Sequence, residues 1–336
     1  MEIQRQSKIM TDEIGPRHVH SRSIPKPAHR IDRAEALPDQ HPKPAEDDLR
    51  APEALRRILQ SATYREADQD VDFLQGGPAT RGIRLQLDFL KTESLLEEQR
   101  VAHTIVVFGS TRIREPQAAR RAVEACTGAL AANPDDETLR RRLEIARRIA
   151  EKSRYYEMAR EFGQIVGAAG ERAIGGRIMI MTGGGPGIME AANRGAHDIG
   201  AKSIGLNITM PKEQYPNPYV TPELCFRFHY FAMRKLHFLM RARALVAFPG
   251  GYGTLDELFE VLSLAQTRKI APVPVILVAY WRRAFDPEFL VDEGVIEPED
   301  RDLFWFSESA EAAWRDILYW YEAIGRPLLP PSDSES

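Results

Sequence analysis

A doubly wound α/β fold, one parallel sheet with helices on both faces, is what this 336-residue sequence predicts. Three observations carry that reading. In the second half of the chain, short runs rich in β-branched residues alternate with longer stretches of helical periodicity, the pattern of strand–helix units joined by right-handed crossovers. The runs are apolar along their length, as strands covered on both faces are. Three of them run directly into glycine-bearing turns, at Gly109-Ser110, Gly183-Gly-Gly-Pro-Gly187 and Pro249-Gly-Gly-Tyr-Gly253. The predicted architecture is a Rossmann-like domain over 102–325. A helical extension over 51–101 precedes it, and a helical insertion over about 114–153 follows the first strand.

Taken in order, residues 1 to about 50 read as a disordered tail. No Phe, Tyr or Trp precedes Tyr64, and Pro16, Pro25, Pro27, Pro38, Pro42 and Pro44 interrupt any helical pattern. Such a segment buries too little surface to offset the entropy of ordering. His18, His20, His29 and His41 fall there at irregular spacing with no cysteine nearby, which argues against a metal site. Leu55, Ile58 and Leu59, then Ile83, Leu87 and Leu90, repeat at helical spacing on either side of Gly76-Gly77-Pro78. His103–Phe108 is the first strand. From 114 to about 170, two long helical patterns flank Asn133-Pro134-Asp135-Asp136, with Leu139, Leu143, Ala146 and Ala150 on one stripe and Tyr155, Met158, Ala159, Phe162 and Val166 on the next. Strands at 177–182, 202–208, 244–248 and 274–279 then alternate with helices at 188–200, 231–242 and 254–267. A disordered tail is expected over 326–336.

Composition narrows the function. Lys and Arg total 45 against 49 Asp and Glu, for a net charge of −4, which argues against a general nucleic-acid or anionic-membrane binder. Two cysteines, Cys126 and Cys225, make neither a disulfide framework nor a cysteine-rich metal site. No apolar run approaches the roughly 18–20 residues that span a bilayer. A cytoplasmic protein with no metal and no cofactor is expected.

In open parallel sheets, ligands bind beyond the carboxyl ends of the strands. Glycines there allow close backbone approach, and a following helix aims N–H groups and its positive dipole end at the spot, which favours phosphate. The candidate cradle residues are Gly109, Ser110, Gly183, Gly184, Gly185, Gly250, Gly251, Gly253 and Thr254. Neither a P-loop lysine nor the dinucleotide glycine spacing is present, so a phosphorylated metabolite is the expected ligand. Arg234 and Lys235 on one helix and Glu257 on the next are either solvated helix charges or a guanidinium and a carboxylate facing one cleft. Glu190 has two open readings, helix capping and function.

Gly183-Gly-Gly-Pro-Gly-Ile-Met-Glu190, Met233-Arg-Lys235 and Pro249-Gly-Gly-Tyr-Gly-Thr-Leu-Asp-Glu257 together resemble the LOG family, the cytokinin riboside 5′-monophosphate phosphoribohydrolases long mislabelled lysine decarboxylases. The resemblance covers about 103–295, with Gln266 also fitting, and is closest to the larger bacterial LOG-like type. It implies hydrolysis of the N-glycosidic bond of a nucleoside 5′-monophosphate such as AMP. Arg234 and Glu257 are implied as catalytic, and Lys235, Gly250, Gly251, Gly253, Thr254 and, more loosely, Ser263 as nucleotide-binding. It also implies a homodimer or higher even oligomer; Phe231, Leu236, Phe238 and Leu239 are then core or interface. The alternative from another class is a non-catalytic nucleotide or phosphorylated-cofactor binder of the molybdenum-cofactor-carrier kind. Decarboxylation through pyridoxal phosphate is disfavoured, because Lys235, the lysine nearest the motifs, belongs to the Arg-Lys pair.

Overall fold

The computed structural model describes residues 46–211 and 215–330. The tail expected over 1 to about 50, with its histidines, lies outside the described residues except for 46–50, which form exposed turns. The chain divides into two compact units, 1–72 and 73–336. In the first, α1 (Ala51–Leu59) starts at a proline in its first turn and has no buried residue. The extension expected over 51–101 is therefore divided: α2 (Val71–Gln75) straddles the boundary, and α3 (Arg81–Glu98) belongs to the unit of the sheet.

That sheet has seven strands, β1 (His103–Phe108), β2 (Ile178–Thr182), β3 (Ser203–Ile208), β4 (Cys225–Phe228), β5 (Ala242–Ala247), β6 (Val275–Val278) and β7 (Trp305–Ser307). Their order is β4-β3-β2-β1-β5-β6-β7, and every pairing is parallel. From β1 the chain builds outward through β2, β3 and β4, then returns to place β5 on the other side of β1. The reversal leaves a crevice between the loops that follow β1 and β5, where ligands of such sheets bind.

Among the described residues eight further α-helices follow: α4 (Pro116–Ala132), α5 (Glu137–Glu151), α6 (Ser153–Gly170), α7 (Ile188–Asp198), α8 (Phe231–Met240), α9 (Tyr252–Gln266), α10 (Pro287–Asp292) and α11 (Ala310–Ala323). Alternate strand residues feed two cores. Ile105, Val107, Ile180 and Val246 meet α6, α7 and α11 on one face, around Tyr156, Phe162 and Ile188. Val106, Phe108, Met179 and Leu245 meet the end of α3, α8 and α9 on the other, around Leu96, Phe238 and Leu258. Each fully buried side chain of this size stabilises the fold by roughly 1.5–3 kcal/mol.

Several expectations change in detail. The insertion does not run on into the next helix. Asp136 caps α5 by accepting from the N–H groups of Thr138 and Leu139, and α5 stops at Lys152, so three helices stand between β1 and β2. The turn at Lys152 is needed because the α5 stripe faces α4, whereas the α6 stripe faces the sheet. The edge strands β4 and β7, four and three residues long, carry too little pattern to be read from sequence. The tail expected over 326–336 is corrected for its first part. Leu328 is buried in the first core and its carbonyl accepts from the Ile174 N–H at 2.8 Å; the rest beyond 330 lies outside the described residues. Among the described residues, no helix is long and apolar enough to cross a membrane.

Candidate active site

A cleft of about 620 Å³ opens in the crevice between the β1 and β5 loops. Nine of the sequence-predicted residues line it: Gly109, Ser110, Gly183, Arg234, Gly250, Gly251, Gly253, Thr254 and Glu257. Its volume falls in the range of small-molecule sites.

Ser110 ties three loops together. Its N–H donates to the Pro249 carbonyl at 2.9 Å, and its own carbonyl accepts from Ile188 N–H, at the start of α7, at 3.1 Å. The two glycine-rich loops then part company. In the loop after β2, Gly184 sits at φ +67°, and a Cβ there would strike the Asn207 side chain. A buried polar web holds this loop: Thr182 Oγ1 donates to Asn193 Oδ1 and accepts from Gly184 N–H, while Asn217 donates to the Gly185 carbonyl and to Asn193 Oδ1. In the loop after β5, the N–H groups of Gly251, Tyr252 and Gly253 have no acceptor among the described residues. They open α9, a 15-residue helix with no side-chain cap, so free donors and the positive dipole end coincide in the cleft. Gly250 is required by contact, since a Cβ there would collide with Thr254.

Across the cleft stand the charges. Arg234 NH2 approaches Glu257 Oε1 at 3.5 Å, with their side chains 15% and 7% exposed. The guanidinium lies over the rings of Phe231 and Phe238, at 4.9 and 5.6 Å from their centroids, and its Nε is buried with no acceptor. Burial pushes the Glu257 carboxyl up to about 7 against the opposing pull of Arg234, and burial lowers Arg234 in turn. Such a displaced carboxyl in a cleft is a mark of functional sites.

The helix bearing Arg234 is held from outside the sheet. Asp88 on α3 accepts from the N–H groups of His229 and Tyr230 at 2.9 and 2.8 Å, acting where α8 lacks a side-chain cap of its own. Arg84 donates to the Tyr230 hydroxyl at 3.1 Å, and at the other end Arg241 makes a two-pronged pair with Glu93 at 2.7 and 2.6 Å. That pair holds the Glu93 carboxyl below the usual range.

The remaining predicted residues lie elsewhere. Gly184 and Gly185 belong to the web behind the cleft. Glu190 accepts from the Tyr156 hydroxyl at 2.8 Å, which joins α7 to α6. Lys235 points away from Glu257, pairing with Asp256 at 2.8 Å and Glu260 at 3.1 Å; although burial opposes its charge, these bonds hold the ammonium above its ordinary value. Ser263 shares that outer surface. Gln266 at the end of α9 donates to Asp300. Of the four apolar residues left open on α8, Phe238 is core and Leu239 packs partly buried against it, while Phe231 and Leu236 are exposed. Sequence reasoning missed Asn207, Met189, Thr111 and Arg112, all cleft residues. Asn207 carried a usable signal, a polar side chain near the carboxyl end of an apolar strand.

Among the described residues, no group of three or more His, Cys, Asp or Glu forms a metal-type cluster.

Fold and cleft define a Rossmann-like α/β protein in which unpaired backbone N–H groups share a cleft with a carboxylate–guanidinium pair. Residues 189–317 match the family described as "Possible lysine decarboxylase". The chain is 32% identical over 157 residues to cytokinin riboside 5′-monophosphate phosphoribohydrolase LOG7 of Arabidopsis thaliana, covering 44% of this chain and 70% of that protein. It is 31% identical over 141 residues to the LOG3 protein of the same plant, covering 40% of this chain and 64% of the relative. The molybdenum cofactor binding protein of Rippkaea orientalis aligns at 22% identity with a TM-score of 0.33, over 51% of this chain and 87% of that one. This chain belongs to the LOG family, at the distance these identities set.

Proposed function

We propose that the protein hydrolyses the N-glycosidic bond of a nucleoside 5′-monophosphate, AMP being the preferred first substrate, to free base and ribose 5-phosphate. The observation that carries this reading is the opposition, in one cleft, of free N–H groups at the start of α9 and the buried Arg234–Glu257 pair. The 5′-phosphate sits on the Gly250–Thr254 loop, which sets the ribose against Glu257. As the C1′–N bond breaks, positive charge grows on the sugar, and the Glu257 carboxylate stabilises it. Water adds its oxygen to C1′; one water proton passes to Glu257 or solvent, and the departing base nitrogen takes up a proton. Arg234 stays charged throughout, so it positions substrate and offsets charge on the leaving base.

Incubation with AMP, GMP, CMP and UMP followed by chromatography tests the reading: free base and ribose 5-phosphate are expected. Glu257→Gln should cut turnover on the order of 100-fold to 1,000-fold with little change in nucleotide affinity. The working form is the carboxylate, and its pKa is raised to about 7, so turnover should fall as pH drops below about 7. The same upward shift makes the fold lose stability as pH rises from 4.5 through 7, where the buried group ionises. A wild type inactive on every monophosphate would overturn the reading.

The assembly we propose is a homodimer through adjoining α3 and α8. Ile83, Leu87 and Leu90 on α3 and Phe231, Leu236 and Met240 on α8 are all exposed apolar side chains. Light scattering should give twice the 38.0 kDa chain mass or an even multiple; a constant single-chain mass would refute it.

A further inference from the structure

The insertion between β1 and β2 builds a second cleft that the reaction above does not use. It is about 410 Å³, walled by Ala119, Ala122, Ile145 and Ile149 of α4 and α5, and it carries the side chains of Arg112, Arg114 and Arg142. Thr111 and Arg112 also line the catalytic cleft, so the two cavities meet at the loop after β1.

Charge sets this cleft apart. The chain as a whole is acidic, with net charge −4, and three other surface clefts mix both signs: Glu157, Glu161 and Glu308 with Arg154 in one, Glu151 with Lys152, Arg154 and Arg283 in another, Asp256 and Glu260 with Lys235 in a third. The insertion cleft has three guanidiniums and no carboxylate. None of the three makes an ion pair or a side-chain hydrogen bond among the described residues, whereas Arg140 and Arg160 nearby in the chain pair with Glu137 and Asp198. A single exposed arginine means little. Three exposed arginines line one apolar-walled cavity, and each offers a planar fork of donors of the kind that recognises a phosphoryl group.

We propose that the insertion cleft is a second phosphoryl subsite, filled by a phosphate beyond the one held on the Gly250–Thr254 loop. The proposal rests on the nucleotide reading of the catalytic cleft for its first phosphate. The second phosphoryl group comes either from a longer phosphate chain on the same nucleotide, reaching past Thr111 and Arg112, or from a separate polyphosphate anion. Arg114 and Arg142 belong to this cleft alone, so they separate the two sites. The family match covers residues 189–317 and so leaves the insertion outside it, as it does Arg112, Arg114 and Arg142.

Calorimetric titration of the full chain with AMP, ADP and inorganic pyrophosphate, at two salt concentrations, tests this. Wild type should bind pyrophosphate, and Arg114→Gln with Arg142→Gln should weaken that binding about ten-fold or more while leaving AMP affinity and AMP hydrolysis unchanged. Tighter binding of ADP than AMP by about ten-fold, abolished in the double variant, identifies the same nucleotide as the source. Equal ADP and AMP binding with variant-sensitive pyrophosphate binding identifies a separate anion. The proposal is overturned if pyrophosphate fails to bind while ADP and AMP bind alike, or if the double variant changes neither ligand. Pyrophosphate binding requires no catalysis, so a wild type that binds it through Arg114 and Arg142 but cleaves no nucleotide would overturn the hydrolase reading alone.

Discussion

In the loop after β2, the Gly184 N–H, the Gly184 and Gly185 carbonyls and the Ile188 N–H are engaged by the Thr182–Asn193–Asn217 web or by Ser110; in the loop after β5, three consecutive N–H groups at the head of α9 have no acceptor among the described residues. Both loops follow a strand, both are glycine-rich, and both precede a helix. They differ in what the glycines are for. Gly184 supplies a left-handed turn and room for Asn207, which is a folding requirement. Gly251 and Gly253 meet nothing within 4 Å of where a Cβ would stand, so the protein itself does not require glycine there. A ligand would.

The first way to break this contrast is on the structural side. Gly184→Ala places a Cβ against the Asn207 amide at a positive φ, so backbone strain and steric overlap add. A loss on the order of 2–4 kcal/mol is expected, read as a large fall in melting temperature. An unchanged melting temperature would show that the β2 loop is not held as tightly as its hydrogen bonds imply.

The complementary change is milder. Gly253→Ala puts a methyl group into open space in the first turn of α9, where alanine is a better helix former than glycine. Stability should hold or rise by under about 1 kcal/mol. Gly253 lines the cleft, so if the proposed phosphate site is there, KM for AMP should rise about ten-fold, with kcat less affected. A variant with both stability and KM unchanged would remove the β5 loop from the phosphate site.

The same contrast explains what the sequence made legible. Strands such as His103–Phe108 and the glycine turns were readable because burial on both faces and abrupt strand ends leave local signatures. Arg234 and Glu257 were readable from their motifs, and the fold brings them to 3.5 Å. The inward face of α3 was not. Its apolar stripe, Ile83, Leu87 and Leu90, is exposed, and the residues that hold α8 are Arg84, Asp88, Phe89 and Glu93, mostly polar, with the Phe89 ring stacked on His237. Hydrophobic periodicity assumes that burial is apolar, and here hydrogen bonds and an ion pair do the anchoring. The different settings of Lys235 and Arg234 were hidden for a related reason: adjacency in sequence is about 100° of rotation on a helix, enough to place Arg234 in the cleft and pair Lys235 with Asp256.

That rotation yields the smallest expected effect. Asp256 and Glu257 are neighbours on α9, yet Asp256 is 57% exposed and bound to Lys235, while Glu257 is buried in the cleft. Asp256→Asn removes one of two carboxylates from Lys235 and leaves Glu260 at 3.1 Å, so the stability cost should stay below about 1 kcal/mol. Turnover should remain within a few-fold of wild type. One trace should survive in the pH profile. The negative charge of Asp256 is the weakest of the influences that raise the Glu257 carboxyl, so its removal lets Glu257 ionise at slightly lower pH, and the acid limb should move down with it. A hundred-fold loss of turnover in Asp256→Asn would mean that the outer face of α9, with Lys235, takes part in the chemistry. An acid limb that moved up would mean that the ionisation it reports is not that of Glu257.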